Sequence, residues 1–164
     1  LLDPWRAVES RSVFAGRLPV SGLSRLCEVL LDTAGDVNFR FAFSRDPEHR
    51  AIMTGEVQAR LGLCCQRCME PLHQDVEAHV ALALVSSLDE ARQLPERYEP
   101  LLVGEQLIRP RDLIEDELLL GIPQIPMHEP ELCSGAVGEA VVGRDEPPEA
   151  TNPFKVLAKL KCEP

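Results

Sequence analysis

The chain has 164 residues, is 45% hydrophobic and 4% aromatic, and carries 17 Lys plus Arg against 27 Asp plus Glu, a formal net charge of -10. That length gives one domain with a modest core, and that charge excludes a generally basic surface that would grip nucleic acid by neutralising phosphates, so any RNA contact must come from a local patch or a partner. No apolar run approaches the roughly 20 residues of a membrane span, no signal peptide is visible, and the cysteines at 27, 64, 65, 68, 133 and 162 are too few and too scattered for a disulfide scaffold, which together point to a reducing cytoplasm.

In chain order, Ser12 to Val20 reads as a first strand closed by Pro19 and Gly22. Ser21 to Leu31 predicts a helix, with Ser21 or Ser24 as cap and Leu23, Leu26, Val29 and Leu30 at helical spacing, ended by Gly35. Three segments then alternate with period two. Val37, Phe39, Phe41 and Phe43 share one face; Met53, Gly55, Val57, Ala59, Leu61 and Leu63 share another; Val76, Ala78, Val80, Leu82 and Leu84 share a third. Strict alternation marks half-buried strands with one wet side, and the short connections make them an antiparallel meander. The wet side holds Arg40 and Arg60 beside Glu56, Glu77 and His79, a mixture that reads as ordinary surface or as a binding face.

Ser86 to Gln93 predicts a short helix, and Leu101 to Val103 an edge strand. "PRDLIEDELLLGIP" predicts a strong helix opened by Pro110 and stopped by Pro123, with Asp112 and Glu115 suited to its dipole. Its apolar side carries Leu113, Ile114, Leu118 and Ile122, with Leu119 beside them; Asp112, Glu115, Asp116 and Glu117 read as a solvated face. Met127 to Pro148 is rich in Gly, Pro and Glu and predicts an irregular, mobile segment, most acidic around 134–150. Asn152-Pro153 then opens a short terminal helix over 153–161, with Phe154, Leu157, Ala158 and Lys161 along it.

The chemistry-bearing motif is "LGLCCQRCMEPLHQD". Cys65 shares the parity of Leu61 and Leu63, so it points to the core as the strand ends, and Cys68 follows three residues on. Such a turn lets two thiolates converge on one zinc at about 2.3 Å each, and "PMHEPELC" supplies His128 and Cys133 as the other two ligands. The competing reading is two small buried hydrophobes at a turn, with Cys133 loose in an irregular loop. A thioredoxin-type motif fits poorly, because it opens a helix after a parallel strand and this pair lies between antiparallel ones. His49, His73 and His79 have no Ser or Cys partner at triad spacing, and "SGAVGEAVVG" lacks the lysine of a phosphate-binding loop.

Four ordered motifs, "CQRCMEPL", "LPERYEPLLV", "LIEDELLLGIPQIPMHEPELC" and "NPFKVLAKLK", together with "LDPWRAV" at the start, resemble the bacterial YceD family of large ribosomal RNA subunit accumulation proteins. The resemblance runs from about Leu2 to Lys161. It implies a small cytoplasmic protein, encoded next to a large-subunit ribosomal protein gene, that is needed for the synthesis, processing or stability of 23S rRNA. It implies no catalytic residues, and it places Cys65, Cys68, His128 and Cys133 where relatives carry such residues; Cys27, Cys64 and Cys162 fall outside the shared pattern.

The expectation is an α+β domain spanning 1–164: a mostly antiparallel sheet, partly curled toward a barrel, with two or three helices on its apolar face. The expected role is a non-enzymatic accessory factor in ribosome biogenesis with one structural zinc; the alternative is a metal-dependent hydrolase or nuclease acting on rRNA. Expected partners are a pre-ribosomal particle, a large-subunit ribosomal protein or the 23S rRNA precursor, with no membrane and no small-molecule substrate. Arg40, Arg60, Phe154 and Leu157 are the candidate contact residues, and the acidic stretch Glu139 to Glu149 a candidate docking element.

Overall fold

The period-two segments become the three long strands of a computed structural model that describes residues 1–103 and 107–133. Along the chain lie α1 (Pro4–Glu9), β1 (Val13–Pro19), a 3-10 turn (Val20–Gly22), α2 (Ser24–Cys27), β2 (Asp36–Arg45), β3 (Ala51–Cys64) and β4 (Pro71–Val85). α3 (Leu88–Ala91), β5 (Glu99–Leu102), α4 (Pro110–Gly121) and a 3-10 turn (Pro130–Leu132) follow. The strands form one sheet in the order β1-β2-β3-β4-β5. The first three pairings are antiparallel and β5 runs parallel to β4. The fold is therefore α+β, as the alternation predicts, but the sheet stays open with β1 and β5 at its edges and does not close into a barrel.

The face predicted to be apolar is the face that is buried. Val37, Phe41, Phe43, Met53, Val57, Leu61, Val76, Val80 and Leu84 meet Val8, Leu23, Leu26, Ile114 and Leu118 in one cluster. α1 and α4 lie on the sheet, and α2 packs against α4. Gly55 is needed where it stands, because a Cβ there would run into the Arg40 carbonyl and the Phe41 ring on the neighbouring strand.

Three local expectations are corrected. α1 is absent from the elements derived above, although Asp3 caps it by accepting the Arg6 N–H at 3.1 Å and Pro4 sits in its first turn. The helix expected over Ser21 to Leu31 contracts to one 3-10 turn and the four residues of α2. Its cap position is Leu23, so neither serine caps it. The acidic side of α4 is not uniformly solvated: Glu115 is 4% exposed. The acidic segment 134–150 and the terminal helix 153–161 lie outside the described residues.

The buried Asp46 organises the β2–β3 connection. Its carboxylate accepts the Arg50 N–H at 2.8 Å and the guanidiniums of Arg50 and Arg97 at 3.1 and 3.4 Å. That ties the loop to the segment leading into β5.

Candidate metal centre

β3 and β4 pair from Ile52↔Ala83 out to Cys64↔Pro71, so the C-x-x-C lies at the end of the longest hairpin. Strand parity carries Cys65 inward as expected, and its side chain is 0% exposed, while Cys64 is half-buried. The turn closes on itself: Cys65 N–H donates to the Glu70 carbonyl at 3.0 Å, and Met69 N–H to the Cys65 carbonyl at 2.9 Å. Closing it puts Met69 at φ 63, a left-handed conformation that costs a non-glycine residue roughly 1–2 kcal/mol.

The segment after α4 folds back onto this turn. Gln66 N–H donates to the Pro126 carbonyl at 2.8 Å, and Arg67 Nη2 donates to the His128 carbonyl at 2.9 Å. These bonds bring His128 and Cys133 to Cys65 and Cys68 across 60 to 68 residues of sequence. Cys65 Sγ lies 3.9 Å from Cys133 Sγ, and Cys68 Sγ 3.3 Å from His128 Nδ1. All four donor atoms lie within 4.8 Å of one another. Ligands held about 2.3 Å from a tetrahedral ion sit roughly 3.7 Å apart, so the group has the dimensions of a four-coordinate site. His128 Nε2 lies 3.1 Å from the Pro71 carbonyl and must donate to it, which leaves the Nδ1 lone pair facing the sulfurs.

The electrostatics suit thiolates. Burial pushes the Cys65 thiol up, but the backbone N–H groups of Cys68, His128 and Arg67 converge on its sulfur and win, drawing it down to about 5. Burial likewise opposes ionisation of Cys68, and the Glu70 N–H together with Cys133 and His128 lowers it below its ordinary value. His128 is raised, first by Cys68 and then by Cys65. The group therefore attracts cations, whether protons on the imidazole or a metal ion on all four donors.

The other candidates fare differently. Arg40 and Arg60 are both exposed on the wet sheet face, but the register sets Arg40 opposite Glu56 and Arg60 opposite Asp75. Each cation thus faces a carboxylate, and the face is a charge mosaic and not a basic patch. Phe154 and Leu157 lie outside the described residues. Arg67 was missed above, since an arginine inside a C-x-x-C carries no signal until the second ligand segment is placed beside it.

One measurement checks the turn. Met69 is 69% exposed and has little packing to lose. Met69→Gly should relieve the left-handed strain and raise stability by about 0.5–1 kcal/mol after the extra flexibility of glycine in the unfolded chain is counted. A lower melting temperature would contradict that account.

An open five-stranded α+β sheet whose longest hairpin is clasped by a cysteine–histidine tetrad defines the class of protein. Residues 53–161 match the family described as large ribosomal RNA subunit accumulation protein YceD. A curated relative of the same name from Haemophilus influenzae is 37% identical over 165 residues, covering 98% of this chain and 94% of the relative. The chain belongs to the YceD family. No solved structure matches it. Among the described residues, no helix is long and apolar enough to cross a membrane.

Proposed function

We propose that this protein is a non-enzymatic cytoplasmic factor that supports accumulation of the large ribosomal subunit RNA, and that Cys65, Cys68, His128 and Cys133 hold one structural zinc. For the first part, family membership supports the accumulation role, because the relative that spans nearly the whole chain is named for it. The donor set carries the second: three sulfurs and one imidazole nitrogen at tetrahedral spacing suit zinc and leave no coordination position open. Metal-assisted hydrolysis needs such an open position, so the donor set supports a structural role. The zinc would weld the segment after α4 to the β3–β4 hairpin.

The factor works on the synthesis, processing or stability of 23S rRNA, through a pre-ribosomal particle, a large-subunit ribosomal protein or the rRNA precursor. A net charge of -10 and the pairing of Arg40 and Arg60 with carboxylates favour docking on basic protein over naked RNA. Deleting the gene should lower mature large-subunit rRNA relative to small-subunit rRNA, with precursors or fragments accumulating. An unchanged ratio in deletion and complemented strains, under cold and normal growth, would end this reading. For the metal, protein purified without chelator should contain about one zinc per chain. Metal-free protein whose Cys65→Ser, Cys68→Ser form melts normally would remove the zinc.

A further inference from the structure

We propose that Arg67 is the positioning residue of this centre: its guanidinium ties the second ligand segment to the first and offsets the negative charge of a three-thiolate site. The proposal rests on the zinc reading above.

The geometry is specific. Arg67 Nε donates to Cys133 Sγ at 3.0 Å, and Nη2 donates to the His128 carbonyl at 2.9 Å. One side chain from inside the C-x-x-C therefore holds both ligand residues of the distant segment, one by its sulfur and one by its backbone. The same residue's backbone N–H is among those directed at Cys65. A divalent ion with three thiolates and a neutral imidazole carries one net negative charge, and the guanidinium beside Cys133 cancels it. Arginine suits this task because its charge is permanent and its planar fork reaches two acceptors at once; lysine is a single point charge on a flexible stem. Arg67 Nε donates directly to the Cys133 sulfur, which is 4% exposed, so loss of the guanidinium should open that sulfur to reagents. Sulfur and carbonyl are engaged by one side chain, so Arg67 joins the two halves of the site independently of the four donor atoms.

The test uses the full chain, loaded with zinc or with cobalt as a spectroscopic probe. Affinity is read by competition with a chromophoric chelator, coordination by the thiolate-to-cobalt absorption band, and Cys133 access by iodoacetamide labelling mapped by mass spectrometry. Arg67→Ala should weaken zinc binding about 10–100-fold, the usual effect of removing an outer partner of a ligand, shift the cobalt band, and speed labelling of Cys133. Arg67→Lys should recover part of the affinity, because the charge returns, while Cys133 labelling stays fast, because the two-point contact does not. Arg67 is exposed, so both variants should keep the far-ultraviolet spectrum of the parent. Parent protein that takes neither metal would overturn the zinc reading and this role with it. Parent protein that takes zinc while Arg67→Ala binds equally, with an unshifted band, would overturn the role of Arg67 alone. Lysine no better than alanine would overturn the charge offset.

Discussion

Leu118→Ala should lower the free energy of unfolding by roughly 2–5 kcal/mol, the range for truncating a buried leucine. Leu118 is 0% exposed and sits one helical turn from Ile114, also 0% exposed, where α4 lies on β3 and β4. Truncation removes most of an apolar side chain from water-free surroundings and leaves a void that a regular sheet cannot collapse to fill, so the loss should fall in the middle of that range or above. Urea unfolding measures it as a lower midpoint at unchanged slope. Leu120, two residues on and 80% exposed, is the control: its alanine variant should stay within about 0.5 kcal/mol. Equal effects at the two positions would mean that α4 does not dock as described.

Glu115→Ala should be comparably damaging, by about 2–4 kcal/mol, because it strips the cap from another helix and leaves buried donors unsatisfied. α2 has no side-chain cap of its own. Glu115 Oε1 supplies one from across the fold, accepting the N–H groups of Arg25 at 2.6 Å and Leu26 at 3.0 Å. Its Oε2 accepts Arg25 Nε at 3.1 Å, and the same guanidinium reaches Asp116 at 2.7 Å. Burial alone would push this carboxyl up, but the Leu26 N–H, the Arg25 guanidinium and the Arg25 N–H outweigh it and hold the carboxyl below the usual 4.5. The folded form therefore binds its proton less readily than the unfolded chain. The stabilisation is fully present above the unfolded value and drains away as the pH falls through the folded one. Glu115→Gln should be less stable than the parent at neutral pH, and the two should converge in acid below that window. Parallel curves across the whole range would mean that Glu115 does not work through its charge.

The sheet was legible because one face is dry and the other mostly wet, so apolar residues recur every second position along β2, β3 and β4, even though Ile52 and Ala83 are also buried on the opposite face. α4 was legible because Pro110 and Pro123 bracket an apolar stripe. What escaped was long-range. Glu115 looks like any acid on a helix until α2 is packed beside it, and α2 ends after Cys27 although Val29 and Leu30 continue the helical spacing. The tetrad was legible as residue types, since Cys65 and Cys68 share a turn and His128 and Cys133 share a segment. Its orientation was not, because the Pro71 carbonyl that fixes the imidazole and the Arg67 fork are set by backbone paths that composition does not encode.

The reach of Glu115 has a consequence in time. Ninety residues separate it from Arg25, and at ribosomal speeds of about 5–20 residues per second that gap lasts roughly 5–20 s. Through that interval the nascent chain can pair β1, β2, β3 and β4, yet the first turn of α2 has no acceptor for its N–H groups. An early helix, α2, is completed by α4, one of the last described elements to leave the exit tunnel. A chain that stalls before residue 115 thus carries an open helix end and lacks the α4 cover of β3 and β4.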